Sequence, residues 1–284
     1  MIASGVRLIH FAGSTVALEW SGETAAGITA FLFSGFPQPP PGAAPPLACY
    51  RLLPGVMPGS LVLTRDGVGI AESRDAGVLA ERWLGTVSHE LAAHCRDGLL
   101  LHAGALALPG SGGVALLPGG IGAGKTTLVL HLARRGLGYR SDEMAFIPLG
   151  STEAVPCLRP LNLKRGSFAA IGGLVDLTPG RFALANPQGC LVDPSRIGST
   201  GEASPLPVRL LIFPHFEAGA PFSLAPLGKA RAGLELMQCL VNARNLPEHG
   251  FPEAVHIAST VPAWSLRYSA FDQLAPLEEL LGLR

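Results

Sequence analysis

Apolar positions fall along this chain in short runs of two periods, and the change from one period to the other marks its elements. Alternation of apolar and polar residues predicts strands at Arg7–Phe11, Val16–Trp20, Cys49–Leu53, Leu61–Leu63 and Val68–Ala71. A helix fits Glu23–Phe33, and Asp75–Cys95 carries Leu79, Trp83, Val87 and Leu91 on one helical stripe. The proline-rich stretch Gly35–Pro46 reads as a connecting loop, with a ligand for a proline-binding module as the functional alternative. Next comes an apolar strand at Leu99–Leu108, a turn at Gly110–Gly113 and a second apolar strand from Val114. A tight turn between two strands implies an antiparallel pair.

Further on, short strands are predicted at Leu137–Arg140 and Met144–Pro148, flanking Ser141-Asp142-Glu143. Pro156–Ser167 reads as a polar, turn-rich segment and Val208–Phe213 as a buried strand. Lys229–Ala243 reads as an amphipathic helix with Leu234, Met237, Leu240 and Val241, and Val255–Ala258 and Ala263–Tyr268 as strands. Phe271–Leu283 closes the chain as a helix. The expected fold class is mixed α/β. Residues 1–74 make a small β-rich N-terminal domain, 75–98 a connecting helix, and 99–284 the larger domain.

The sharpest signal is Leu116–Thr127, LLPGGIGAGKTT, where a strand enters a glycine-rich turn and a helix begins at once. Gly119, Gly124, Lys125 and Thr126 satisfy G-x-x-x-x-G-K-[ST] in the strand-to-helix context that the pattern requires. The glycines, with Gly120, Ile121, Gly122 and Ala123, bring backbone amides to phosphate oxygens, and the helix N-terminus adds its positive dipole end. Lys125 reaches the β- and γ-phosphates, Thr126 offers a hydroxyl to magnesium, and Thr127 completes the cradle. The bland alternative is one more turn in a glycine-rich chain. Lysine use argues against it: only Lys125, Lys164 and Lys229 are Lys among 21 basic residues. A chain that otherwise prefers Arg places a compact point charge where phosphate suits it.

Composition narrows the partners. Charge is balanced at a formal zero, which gives no overall basic footprint for nucleic acid or for an anionic membrane. A mean hydropathy of +0.36 prompts a search for membrane spans, but the apolar runs are short and broken by Gly, Pro or charge. No signal peptide is read in the first twenty residues. Five scattered cysteines, none in C-x-x-C spacing, suit free thiols in a reducing cytoplasm. His89 and His94 are five apart, the wrong spacing for a shared metal, so no zinc site is expected.

The reaction is narrowed by what accompanies the loop. There is no N-K-x-D for guanine and no L-S-G-G-Q of a transport ATPase, and LLIFPHFE does not end in the Asp of a distal metal-binding strand. The acidic pair Asp142-Glu143 follows the loop helix closely, where a carboxylate can hold magnesium or accept a hydroxyl proton. A turn Asp with a capping role is the structural alternative.

The segment Leu101–Glu143, LHAGALALPGSGGVALLPGGIGAGKTTLVLHLARRGLGYRSDE, resembles the catalytic core of HPr kinase/phosphorylase and its bacterial relatives. Shared features are a strand His, a short hairpin, the phosphate loop, a helix ending in Arg-Gly and an acidic pair, in that order. The antiparallel strand before the loop is a trait of that fold, which phosphoenolpyruvate carboxykinases share. The resemblance implies ATP and magnesium as cofactors and Asp142 as the group taking the acceptor's proton. It implies His102 assisting that proton, Lys125 acting on the phosphates, and Glu143 with Thr126 near the metal. His102 is otherwise a plain buried strand residue. Ile121 stands where the family has Ser, and the long loop used for phosphorolysis and HPr docking is absent. The shorter relatives, including kinases of lasso-peptide clusters, fit better through Ser-Asp-Glu and the LRYS segment.

Arg159, Lys164 and Arg165 are candidate phosphate or substrate contacts, with a solvated loop face as the alternative. Arg267 is a further candidate. The expected activity is a cytoplasmic ATP-dependent kinase acting on a serine-type hydroxyl of a peptide or small protein, with no nucleic-acid or membrane partner. Relatives form rings, so a homo-oligomer is compatible. The rivals are an HPr-type serine kinase, a small-molecule kinase and a nucleotide-gated peptide-binding module.

Overall fold

A computed structural model describes residues 3–110, 112–180, 183–200 and 204–283. The chain opens with β1 (Ser4–Phe11), β2 (Ser14–Ser21), α1 (Glu23–Phe33), β3 (Cys49–Pro54), β4 (Leu61–Arg65) and β5 (Val68–Ser73). These strands form one sheet in sequence order, with β2 and β3 parallel across the α1 crossover and the other pairs antiparallel. The proline-rich stretch lies in the connection between α1 and β3, where no regular element forms.

Helix α2 (Ala76–His94) follows, capped by Asp75, whose carboxylate accepts from the amides of Gly77 and Val78 at 2.8 and 3.1 Å. Its predicted stripe of Leu79, Trp83, Val87 and Leu91 is fully buried, and Trp83 meets Phe33 edge-on at 5.2 Å. The same apolar cluster takes in Leu100, Met144, Phe146 and Cys157, so the N-terminal sheet shares its core with the rest of the chain. Glu90 fastens α2 to that sheet by accepting from Arg65 Nε and Nη2 and from Tyr50 Oη. Gly77 lies so close to β-structure further along that an added Cβ would sit 1.8 Å from the Ala185 carbonyl oxygen.

The elements that position the site are β6 (Gly98–Ala107), β7 (Val114–Pro118), α3 (Lys125–Arg134), β8 (Gly138–Ser141), β9 (Met144–Pro148) and β10 (Glu153–Ala154). After them come β11 (Leu161–Lys164), β12 (Ala183–Asn186), β13 (Gly189–Val192), β14 (Leu206–Phe216) and β15 (Ser223–Pro226). The chain ends with α4 (Lys229–Gln238), α5 (Phe251–Thr260), β16 (Ala263–Tyr268) and α6 (Ala275–Leu280). The main sheet runs β15-β16-β14-β7-β6-β8, with β9 also on β6 and β10 on β14. Strand β7 pairs antiparallel with β6, as the tight turn predicts, and parallel with β14. The predicted turn at Gly110–Gly113 includes position 111, which lies outside the described residues.

Every residue of β7 is buried because both faces of the sheet are covered. Ala115 and Leu117 pack with α3, while Val114 and Leu116 pack with α4 and α5. That explains why this strand reads as an unbroken apolar run. The fold is mixed α/β.

Several sequence expectations are corrected. Val255–Ala258 is not a strand but the interior of α5, where Ala254, Ile257 and Ala258 form a buried helical stripe. The helix from Lys229 stops at Gln238, and the following residues pair with β6 through the Leu101–Leu240 bridge. The closing helix is split into a single turn at Phe271–Gln273 and α6. The polar segment Pro156–Ser167 contains β11, which joins β13 and β12 in a third sheet that periodicity did not reveal. Among the described residues no helix is long and apolar enough to cross a membrane.

Candidate active site

The glycine-rich stretch bridges β7 and α3 and is held from three strands. The Gly119 amide donates to the His102 carbonyl of β6 at 3.2 Å, and the Phe216 amide of β14 donates to Ala123 at 3.2 Å. Tyr268 Oη of β16 donates to the Gly124 carbonyl at 3.1 Å. Gly122 and Gly124 have φ of 87° and 86°, the left-handed region that favours glycine. At Gly124 space is also short, since a Cβ would sit 2.5 Å from Tyr268 Oη and 2.8 Å from Phe216 Cβ. Gly124→Ala is therefore expected to lose about 1–2 kcal/mol on backbone strain alone. Moving the loop off Tyr268 should add to this. A lower melting temperature with at least severalfold weaker ATP binding by calorimetry is the expected result, and a variant that binds ATP normally would remove this role.

Lys125 opens α3 and is 6% exposed. Its Nζ donates to the Gly119 and Gly120 carbonyls at 2.7 and 2.9 Å, so the ammonium is poised over the loop. Burial lowers its pKa, and the Glu143 carboxylate works against that shift. The first amides of α3 have no carbonyl four residues back within the helix and open toward the loop. Thr127 Oγ1 donates to the Gly124 carbonyl at 2.9 Å. Ile121, at the loop tip, is 85% exposed.

A cavity of ≈ 680 Å³ opens beside the loop. One wall is residues 121–127; His102 and Glu143 form a second; Asn162, Lys164 and Ser167 belong to a third. Phe216 and residues 268–271 supply the last. His102 and Glu143 meet because β6 and β9 pair with His102 opposite Met144, and the Ala103 amide donates to the Glu143 carbonyl. His102 Nε2 lies 3.4 Å from Glu143 Oε1. Burial raises the Glu143 carboxyl, but the His102 hydrogen bond and the charges of Arg159, His102 and Lys125 outweigh it, holding the group well below the usual carboxylate range.

Asp142 is placed differently from its neighbour. Its side chain is enclosed at 1% exposure and is absent from the cavity wall. Oδ1 accepts from Tyr139 Oη and Oδ2 from the Asn162 amide, both at 3.3 Å. Burial raises its pKa, and the Arg159 charge pulls it back only in part. The carboxylate that reaches the cavity is Glu143, with Asp142 one layer behind it.

The three cationic candidates separate. Lys164 borders the cavity. Arg165 is exposed and does not border it. Arg159 is not on a solvated loop face: it is 5% exposed, away from the cavity wall, and its Nη1 donates to Ser88 Oγ of α2 at 3.1 Å. Its charge acts on the acidic pair through space. Arg267 pairs with Glu217 at 2.6 Å outside the cavity. Sequence reading missed Asn162, Phe216, Tyr268 and the 269–271 turn as wall residues. The LRYS segment signalled Tyr268 and Ser269 alone, since position in a wall is set by which strands neighbour β7.

The donor set suits magnesium. Thr126 and Glu143 place hard oxygen donors on one cavity beside the glycine-rich loop. Among the described residues no group of three or more His, Cys, Asp or Glu is arranged to hold a metal. Magnesium shared with a nucleotide needs none, because phosphate oxygens and water complete its shell.

No protein-family model matches the sequence. No curated protein matches it either. Among solved structures the chain is similar to the Hpr(Ser) kinase/phosphatase from Coxiella burnetii, at 14% identity and a TM-score of 0.32. That match covers 64% of this chain and 93% of the other.

Proposed function

We propose that this protein is an ATP- and magnesium-dependent phosphotransferase acting on a serine-type hydroxyl of a peptide or small protein. One observation carries the reading: the Lys125 loop and the His102–Glu143 pair border the same cavity. A phosphate grip and a proton acceptor facing one space are what transfer to a hydroxyl needs. The resemblance of Leu101–Glu143 to the HPr-kinase core supports a hydroxyl acceptor, and its shorter relatives support a peptide.

On this reading the loop amides and Lys125 hold the β- and γ-phosphates. Thr126 would hold magnesium together with the nucleotide's phosphate, and the ion would supply charge neutralisation there. The acceptor hydroxyl gives its proton to the Glu143 carboxylate, which His102 orients through Nε2. The acceptor oxygen bonds to the γ-phosphorus as the bond to the β,γ-bridging oxygen breaks, and ADP leaves with that electron pair. Lys125 offsets the charge that spreads over the γ-oxygens in a largely dissociative transfer. Lys164 closes the same space from β11. Asp142 and Arg159 sit behind this layer and fix its field.

The test is mass spectrometry of candidate acceptors after incubation with ATP and magnesium. The panel holds HPr, serine-containing peptides encoded near this gene, and free serine. One added phosphate on a peptide serine, lost in Glu143→Gln, is the expected result. Retained ATP binding with no transfer to any acceptor would replace this reading with a nucleotide-gated binding module.

A further inference from the structure

We infer that Lys164 is a second phosphate-gripping cation, carried on a different wall from Lys125, and that it holds the terminal phosphate. Through it the site tells a nucleoside triphosphate from a diphosphate. The inference rests on the nucleotide-binding reading above and names the group that selects the donor at that same site.

Strand β11 aims this side chain by simple alternation. In Leu161-Asn162-Leu163-Lys164 the two leucines are fully buried in the core that includes α3, while Asn162 and Lys164 border the cavity. The end of the strand is held firmly. Lys164 lies opposite Gly189 of β13, where an added Cβ would sit 2.0 Å from the Leu163 carbonyl oxygen. The next amide, that of Arg165, donates to the Gln188 carbonyl at 2.9 Å. Lys164 itself is exposed, so a flexible stem carries its ammonium from a fixed backbone.

Its place along β11 puts it at the reacting end of the cavity. The Asn162 amide donates to Asp142 Oδ2 at 3.3 Å, which fastens β11 to the acidic pair. Lys164 follows two residues later, about 7 Å along the strand. On the reading above, Glu143 of that pair takes the acceptor's proton, so the phosphoryl group in transfer lies beside it. The terminal phosphate is thus the part of the nucleotide that this wall faces.

Charge points the same way. Among the described residues, the Lys, Arg, Asp and Glu side chains bordering the cavity are Lys125, Lys164 and Glu143, two cations against one carboxylate. Arg51, Arg65, Arg135, Arg231 and Arg267 each pair with a carboxylate. Lys164 has no ion-pair or hydrogen-bond partner among the described residues. Burial does most to lower the Lys125 pKa, the Glu143 charge opposes it, and the Lys164 charge adds to the lowering. The two ammoniums therefore feel each other, and an anion between them relieves that repulsion. Cationic clamps of this kind act on phosphoryl groups in transfer.

Calorimetric titration of the full chain with ATP and with ADP, each with magnesium and without acceptor, tests this. The wild-type chain should bind ATP more tightly than ADP by about tenfold or more, the scale of one charge-assisted contact. Lys164→Met keeps the apolar stem at an exposed position and should weaken ATP by about tenfold while moving ADP less than about twofold. Arg165→Met, one residue on and outside the cavity, should change neither. A Lys164→Met loss of equal size on ATP and ADP would overturn the inference, because the contact would not be to the terminal phosphate. Unchanged ATP affinity with a raised KM for the acceptor would overturn it too, by making Lys164 an acceptor contact. An Arg165→Met loss matching that of Lys164→Met would reduce the effect to diffuse surface charge. Failure of the wild-type chain to bind either nucleotide would remove the nucleotide reading itself.

Discussion

Replacing Lys125 by Met is expected to lower phosphoryl transfer by about 10²–10³-fold, the scale seen when one preorganised donor to a developing charge is removed. The ammonium is enclosed beside the loop and bonded to the Gly119 and Gly120 carbonyls. Those carbonyls belong to residues that are partly or fully exposed, so water can replace the lost donor and the fold should be kept. Lys125→Arg should not rescue transfer, because the planar guanidinium is wider than the point charge the loop encloses. Initial rates with a labelled γ-phosphate, alongside a thermal melt, measure both effects. A Met variant that turns over at the wild-type rate would take Lys125 out of the chemistry.

The second large effect separates the two acids. Glu143→Gln should lower turnover by about 10²–10⁴-fold, the range for loss of a positioned acid or base, with ATP affinity near normal. Glutamine keeps the shape and the contact to His102 but accepts no proton at neutral pH. Asp142→Asn should cost less in turnover and more in stability. Its two oxygens accept from Tyr139 and from the Asn162 amide inside the protein, and an amide group matches only one acceptor position. Single-turnover transfer and denaturant unfolding of both variants decide the matter. If Asp142→Asn proves the more damaging to transfer, the proton goes to Asp142 and Glu143 becomes a metal ligand.

Much of this arrangement was legible before any coordinates. The loop from Gly119 to Thr127 is a local motif, and its strand and helix are neighbours in sequence, so one window of residues specifies all of it. The antiparallel β6–β7 pair was legible for the same reason. The buried stripe of α2 followed from a 3.6-residue period. The errors lie where period and length are short. Val255–Ala258 is four residues, too few to tell a buried helix face from a strand, and packing against α4 decides it. Strands β11 to β13 were missed because each has four residues and gains its order from the other two.

The acidic pair shows the boundary most clearly. Asp142 and Glu143 form the bend between β8 and β9, and of the two only Glu143 borders the cavity. Sequence located the pair and its distance from the loop. Which member turns inward depends on how β9 registers against β6, and that pairing spans some forty residues. Likewise Arg159 became an internal charge only because α2 covers it, and Phe271 became a cavity wall only because β16 lies beyond β14. Local chemistry, written in contiguous residues, determined the glycine-rich loop between β7 and α3 and the Lys125 ammonium that its carbonyls hold. The tertiary structure alone decided which side chains share that space, because long-range strand order and burial set both their direction and their charge.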